Sequence, residues 1–277
     1  SLHDALPISA RPLQTDLDAL PIIGRQFERS ALRHHLEAAA TGNGCVVLLE
    51  GPAGVGKSRL AQDLASGARW RHIITTTVYA EPHSQRAYGV FLAMLSKMLT
   101  PLRIRQVARL IEPVHLQIAA TLLPRIREVL DHLSEPVTIP PPEARERLQR
   151  ALTALALGLS RINPTLWILE DIHHADPETL SLLPRMIPGL KVRPTMLLLT
   201  ARSSEIRIRD TVWKALQTMD ALARFPRYTL QPLKRADVEN LVRDLIGERD
   251  YTLTDQLNRQ SEGIPLYLVE TLKSWRD

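Results

Sequence analysis

The segment Gly51 to Ser58, with the sequence GPAGVGKS, constrains the fold of this chain more than any other feature. It follows the wholly apolar run Cys45 to Leu49 and precedes residues with helical spacing, so it joins a buried strand to a helix. Glycines let successive backbone N–H groups turn inward, where they and the helix N-terminus attract phosphate oxygens. The segment therefore predicts a triphosphate-binding loop within an α/β fold.

Each residue type in this loop has a chemical reason. Lys57 supplies a mobile positive charge for the β- and γ-phosphates, and the hydroxyl of Ser58 can coordinate Mg²⁺. We expect the nucleotide to contact a continuous run of residues: Gly51, Pro52, Ala53, Gly54, Val55, Gly56, Lys57, Ser58 and Arg59.

Strands and helices alternate along most of the chain. After the apolar run that precedes the loop, the segments HIITTTVYA, LWIL, TMLLLT and RYTLQPL are typical of strands. Amphipathic segments lie between them, and we expect the helix after the loop to end at Gly67. This alternation predicts an α/β fold with a five-stranded parallel sheet flanked by helices.

The chain divides into three regions. Residues 1–20 lack any useful periodicity, and we interpret them as an unstructured or non-native tail. Residues 21–226 form the predicted nucleotide-binding domain, in which prolines divide a helical insertion over about 89–133 into about three short helices. Residues 227–277 are predicted to form a small helical lid domain that stops within a longer protein.

A second polar cluster follows the strand LWIL. Glu170 and Asp171 are adjacent acids, so one carboxylate can bind Mg²⁺ while its neighbour positions the attacking water. We assign Glu170 to the metal and Asp171 to the water. The nearby His173, His174 and Asp176 lack the ligand spacing of a zinc site, and we expect them to orient the two acids.

The fourth predicted strand ends in polar residues. Thr200 and Arg202 lie at its carboxyl end, the edge at which open α/β sheets bind ligands. A cationic side chain at that edge can sense the γ-phosphate. We therefore expect the catalytic set to be Lys57, Glu170, Asp171 and Arg202.

Composition narrows the function classes. The formal charge of +5 is spread along the chain, and no stretch mixes dense basic charge with aromatics, so sequence evidence for nucleic-acid binding is weak. The lone Cys45 excludes an internal disulfide and favours a reducing cytoplasm. No charge-free run approaches the ~18 residues that span a bilayer.

Seven landmarks in order resemble the ATPase module of the STAND class of AAA+-related proteins, as in large LuxR-type transcriptional regulators and cyclase- or kinase-linked regulators. They are IIGRQFE, GPAGVGKS, AYGVFLAML, LWILEDIHHAD, LLLTARSSE, LQPLKRADVENLV and SEGIPLYLVETL. The likeness covers about Pro21 to Trp275. Two positions depart from the usual pattern: Glu170 stands where many members have aspartate, and His174 where tryptophan is usual.

The resemblance implies a fold, a ligand and a switch. Its family has the strand order 5-1-4-3-2 and an adenine pocket between two domains, which places Gly24 and Arg25 on one side and Ile264 and Pro265 on the other. It implies ATP, ADP and Mg²⁺ as ligands, with slow hydrolysis that switches between a closed ADP form and an open, self-associating ATP form. It also implies sensor and effector domains elsewhere in the full chain, and contact with DNA only through those domains.

Other functions remain open at this point. The module could bind ATP without appreciable hydrolysis, or it could be a DNA-loading AAA+ ATPase of the origin-recognition kind. A small-molecule kinase is disfavoured because the glycine-x-proline segment has no role there. A GTPase is disfavoured because the sequence lacks an NKxD-type guanine box.

Overall fold

A computed structural model describes residues 21–82, 86–138, 140–246 and 248–276, so the predicted tail over 1–20 lies outside the described residues. Five strands form one sheet: β1 (Cys45–Glu50), β2 (Ile74–Tyr79), β3 (Thr165–Glu170), β4 (Thr195–Ala201) and β5 (Arg227–Thr229). All neighbouring strands pair in parallel, in the order β2-β3-β4-β1-β5. The predicted parallel sheet and its strand order are confirmed.

The apolar character of the central strands follows from cover on both faces. In β1, Val46 and Leu48 pack into the core on one face of the sheet, while Val47 and Leu49 pack on the other. Strands β3 and β4 are buried along their whole length. Apolar residues therefore dominate the middle of these strands, because helices cover both faces of the sheet there.

The described chain contains thirteen α-helices, most of which flank the sheet. They are α1 (Gln26–Ala40), α2 (Lys57–Trp70), α3 (Gly89–Met98), α4 (Pro101–Val107), α5 (Pro113–Ala119), α6 (Arg125–Val129), α7 (Pro141–Leu159), α8 (Pro177–Leu190), α9 (Ser203–Ile208), α10 (Asp210–Leu222), α11 (Arg235–Ile246), α12 (Tyr251–Ser261) and α13 (Pro265–Arg276). A 3-10 turn over Ile172–His174 follows β3.

The prediction that Gly67 ends the helix after the loop is wrong, because α2 continues to Trp70. A glycine inside a helix costs about 1 kcal/mol relative to alanine. The apolar face of α2, which includes the buried Leu60, Leu64 and Ala68, outweighs that cost. The helix ends instead where His72 adopts a left-handed conformation with φ of 57°.

The core has three parts. Helices α1 and α2 cover one face of the sheet. The other face is covered by α3–α8 and α10, so the predicted insertion, which holds the four helices α3–α6, is built into the main core. Helices α11–α13 surround a smaller apolar cluster. The domain boundary at 226/227 stays a prediction; in the structure, Arg227–Thr229 pairs with β1 and α11–α13 follow it.

Among the described residues, no helix combines the length and the apolar character that crossing a bilayer requires.

Candidate nucleotide-binding site

The loop between β1 and α2 has the backbone shape that its glycines permit. Gly54 and Gly56 adopt φ values of 73° and 104°, in the left-handed region that side chains disfavour. A Cβ on Gly54 would also lie 2.9 Å from the Cβ of Leu266 on α13. Gly56 is the N-cap of α2, so the loop passes directly into the helix N-terminus, which attracts anions.

Lys57 lies inside this loop rather than in solvent. Its side chain is buried, and Nζ donates hydrogen bonds to the carbonyl oxygens of Gly51 at 3.0 Å and Pro52 at 2.8 Å. An ammonium group has three donors, so these two bonds fix its position and leave one donor for another acceptor. The loop therefore holds a positive charge at its centre.

The predicted catalytic residues act on this charge together. Burial lowers the pKa of Lys57, whereas the negative charge of Asp171 raises it; Arg202 lowers it further and Glu170 raises it. Such effects need charges that lie close together, because water screens distant ones. The structure thus gathers Lys57, Glu170, Asp171 and Arg202 at the carboxyl ends of β1, β3 and β4.

The two adjacent acids have different surroundings. Glu170, the last residue of β3, is fully buried, and neither carboxylate oxygen makes a hydrogen bond of normal length and angle within the described chain. The hydroxyl of Tyr79 lies near it, since burial and the charge of Glu170 raise the pKa of that tyrosine. Asp171 lies on the wall of the adjacent cavity, with about a third of its side chain exposed (36%). Its backbone is left-handed, with φ of 55°, and its N–H donates to Oγ1 of Thr200 at 3.0 Å.

His173 connects the acidic turn to the end of β4. Its ring is fully buried; Nδ1 accepts a hydrogen bond from the backbone N–H of Arg202 at 3.4 Å and lies 3.8 Å from Oδ1 of Asp171. Burial, helped by the nearby His174, lowers the pKa of His173 to about 4, so the ring is neutral at pH 7. The part of the chain that the structure describes has no group of three or more His, Cys, Asp or Glu placed to hold a metal.

A cavity of about 490 Å³ extends from the loop to the C-terminal helices. At its end nearest α1, the buried Arg25 donates from Nη2 to the carbonyl oxygens of Val55, at 3.3 Å, and of Gln231. Burial lowers the pKa of Arg25, and the acids Glu28 and Asp237 oppose that shift. Arg25 thus joins α1, the phosphate loop and the segment that leads to α11.

Helix α13 closes the other side of the cavity. The N–H of Leu266 donates to the carbonyl oxygen of Gly54 at 3.2 Å, and the N–H of Leu233 donates to the carbonyl oxygen of Gly263 at 2.7 Å. These bonds fix the start of α13 against the loop and against the strand-to-helix connection. The glycine-x-proline segment therefore forms part of the wall.

Most, though not all, of the predicted site residues line this one cavity. Those that do are Arg25, Ala53, Gly54, Val55, Gly56, Lys57, Ser58, Arg59, Asp171, Arg202 and Pro265. The others do not line it: Gly51 and Glu170 are buried, whereas Gly24, Pro52 and Ile264 are partly or fully exposed elsewhere. Gly24 packs against Asp237, and Ile264 packs against Gly54.

Sequence reasoning missed the apolar part of the wall. Besides the predicted residues, the cavity is lined by Pro21, Ile22, Ile23, Leu233, Leu241, Leu266, Leu268, Val269, Glu270 and Lys273. The apolar members on α11 and α13 show ordinary helical spacing, which predicts a core and carries no separate signal for a ligand. Apolar walls with a few charged groups are typical of sites for small molecules.

Comparisons with known proteins agree with this architecture. Residues 21–199, more than half of the chain, match the family described as AAA ATPase domain. The chain is 26% identical over 268 residues to an uncharacterized protein of Rhizobium meliloti (strain 1021). The alignment covers 90% of this chain and 24% of that protein. The chain therefore spans about a quarter of that curated relative.

Two solved structures share the fold at low sequence identity. The Orc1 protein of Aeropyrum pernix, solved in complex with DNA, has a TM-score of 0.53 at 14% identity, over 91% of this chain and 59% of Orc1. A variant of RuvB from Thermotoga maritima has a TM-score of 0.50 at 16% identity, over 91% of this chain and 61% of RuvB. With its five-stranded parallel sheet, its phosphate loop and the matching family, this chain belongs to the AAA ATPase domain family and is a nucleotide-binding module.

Proposed function

We propose that the protein binds Mg·ATP and hydrolyses it slowly, as a nucleotide switch within a larger signalling or transcription regulator. The observation that carries this proposal is the shared cavity: Lys57, Asp171 and Arg202 line it from the sheet, and Pro265 and Leu268 line it from α13. A nucleotide whose phosphates lie at Lys57 would reach both parts of the protein. A ligand can switch a protein only if it contacts two states differently, and contact with both parts allows that.

The residues at the loop fit a magnesium ion. The buried carboxylate of Glu170 makes no hydrogen bond of normal geometry within the described chain, an arrangement that costs free energy unless a nearby cation compensates it. Ser58 is exposed to the same cavity. Mg²⁺ prefers such hard oxygen ligands, completes its shell with water and phosphate, and when bound neutralises charge on the phosphates.

The remaining catalytic roles follow from position. Lys57 binds the β- and γ-phosphates, and Arg202 contacts the γ-phosphate from the end of β4. Asp171, on the cavity wall, orients the attacking water and accepts its proton. The apolar wall between the N-terminal segment and α13 takes the adenine base, with Gly24 and Arg25 on one side and Ile264 and Pro265 on the other. Arg25 and Pro265 are the members of these pairs that line the cavity.

A binding-only module is the second candidate, and one observation favours it. Glu170 is fully buried and lies behind the cavity surface, so a metal must approach it from within the loop. If no metal reaches Glu170, ATP would bind and organise protein contacts without appreciable hydrolysis. Measured phosphate release separates the two candidates.

The substitution Asp171→Asn is expected to lower the rate of phosphate release about 100-fold, the usual scale for loss of a general base. Asparagine tolerates the left-handed backbone at this position and keeps the N–H that binds Thr200, so the variant should fold. ATP affinity in a calorimetric titration should stay within a few-fold of the wild type. Asp63→Asn is the matched control, because Asp63 on α2 pairs with Arg29 of α1 and does not line the cavity. Equal rates in wild type and Asp171→Asn would favour the binding-only module.

A further inference from the structure

Asp176 makes more hydrogen bonds than a helix cap requires. As the N-cap of α8, it accepts bonds from the N–H of Thr179 at 2.8 Å and from its hydroxyl at 2.6 Å. The same carboxylate also accepts from the backbone N–H of Tyr88 at 2.7 Å and of Gly89 at 3.0 Å. It is almost completely buried, and these four bonds replace the hydrogen bonds that its carboxylate would make with water. One side chain therefore caps two helices, α8 and α3.

Helix α3, the first helix of the insertion, depends on this carboxylate for its start. Its N-cap residue is Tyr88, whose side chain makes no capping bond and whose backbone is left-handed with φ of 59°. A bulky residue rarely adopts that conformation without outside support. Tyr88 is buried, so water cannot replace the missing cap. Asp176 accepts from two backbone donors at this helix start: the N–H of Tyr88, and the N–H of Gly89, which also bonds to the carbonyl oxygen of Arg86 at 2.9 Å.

Asp176 is also tied to the two acids of the nucleotide site. Only a short turn separates it from Asp171, and that turn is closed by bonds from the N–H of His174 to the carbonyl of Asp171 at 2.8 Å and from Ala175 to Ile172 at 3.0 Å. The backbone of Glu170 takes part as well, because its carbonyl accepts from the N–H of Ala80 at 2.9 Å.

The connection from β2 to α3 is therefore fixed at both ends to the acidic turn. Its first residue bonds to Glu170, and its last residues bond to Asp176. Through these hydrogen bonds, a small movement of Glu170 or Asp171 on ligand binding would be transmitted to the start of α3. A movement of α3 would be transmitted to the two acids in the same way.

We propose that Asp176 is a positioning residue that couples the helical insertion, α3–α6, to the acidic pair of the nucleotide site. This inference rests on the proposed function, and it adds a regulatory role for the insertion. Because coupling between two sites is reciprocal, whatever moves the insertion also changes how Asp171 is placed for catalysis.

The substitution Asp176→Ser separates the two capping roles. Serine is a good N-cap, so it keeps the bond to the Thr179 N–H, but its single short side chain loses the bonds to Tyr88 and Gly89. We expect ATP affinity within about threefold of wild type and phosphate release at least tenfold slower, since the phosphate-binding residues are intact and only the placement of Asp171 changes. Hydrogen exchange at the amide of Tyr88 should become faster, and less so at Gly89, whose N–H also bonds to the carbonyl oxygen of Arg86. The ATP-dependent change in exchange at Tyr88 should disappear. Asp176→Asn, which keeps one acceptor oxygen, should be intermediate.

The matched control is Asp250→Ser, which makes the same change at the N-cap of α12, where Oδ1 accepts from Leu253 at 2.9 Å. Because serine can keep this single capping bond, the variant should leave stability, phosphate release and exchange at α3 close to wild type. If Asp176→Ser merely lost stability and kept the wild-type rate and the ATP-dependent exchange at α3, the coupling would be refuted.

Failure of the proposed function gives a different result. In that case the wild-type protein itself would not bind ATP in a calorimetric titration. If wild type binds ATP but releases no phosphate, exchange at α3 decides: coupling predicts a change on ATP addition that Asp176→Ser lacks, and no change in wild type overturns it.

Discussion

Replacing Lys57 with alanine is expected to weaken ATP binding severely. The ammonium is buried within the loop and held by two carbonyl oxygens, so it needs little reorganisation to meet a phosphate. Truncating one partner of a buried, hydrogen-bonded charge pair costs about 2–5 kcal/mol, which corresponds to a loss of affinity of roughly thirty- to several-thousand-fold. An isothermal titration with ATP measures this loss directly.

Lys97 provides the matched control for that experiment. Its ammonium also donates to a backbone carbonyl, that of Thr77 at 2.6 Å, but it is exposed and lies outside the cavity. Lys97→Ala should therefore bind ATP like the wild type. If Lys57→Ala also kept wild-type affinity, the assignment of the phosphate site would be wrong.

The largest effect on stability is expected for Gly44→Ala. A Cβ at this position would lie 1.9 Å from the carbonyl oxygen of Leu190 and 2.5 Å from that of Arg193. Both are backbone atoms at the turn from α8 to β4, so rotation of a side chain cannot relieve the overlap. The turn would have to move away from the start of β1, which pairs Cys45 with Met196. We expect the free energy of unfolding to fall by about 3 kcal/mol or more in urea denaturation.

Gly67→Ala tests the same chemical change at a site with space. The atom nearest to its added Cβ is the Arg71 Nη1 at 3.6 Å, an ordinary contact, and Gly67 lies within α2. Alanine should raise the free energy of unfolding by up to about 1 kcal/mol, because it favours the helix. If Gly44→Ala unfolded at the wild-type urea concentration, the close approach of β1 to the α8–β4 turn would be contradicted.

The fold was predictable because its signals are local. The apolar run before Gly51 and the loop itself place β1 and the start of α2, and four further strands follow from segments with strand-like composition. The prolines at 101 and 113 mark the starts of α4 and α5. The order of the strands came from the family resemblance, because periodicity alone cannot say which strands are neighbours.

The errors and omissions have a common physical origin. Gly67 has the local preference of a helix end, yet tertiary packing of α2 overrides it. The residues of the apolar wall, such as Leu241 and Leu268, look like core residues in sequence, and only the approach of α13 to the loop turns them toward a cavity. The double cap by Asp176 joins residues distant in sequence, so no local pattern reveals it.

The site itself was predicted in part. The loop residues and the polar ends of β3 and β4 were identified from their types and positions, and the structure gathers them around Lys57. Their roles in binding and catalysis stay predictions. The sequence could not predict how far each acid is buried. Glu170 and Asp171 are neighbours in the chain, but Glu170 is fully buried and Asp171 lies on the cavity wall.

The cavity is bounded by both ends of the described chain, since residues 21–25 and the helix that begins at Pro265 lie on the same space. A ligand bound in this cavity would contact both the first and the last described segments of the fold. Binding would raise the free energy of unfolding by about 2.7 kcal/mol when the free ligand concentration is a hundred times Kd. A fragment that lacks residues 21–25 or α13 would keep the phosphate loop but would lose this stabilisation by the ligand.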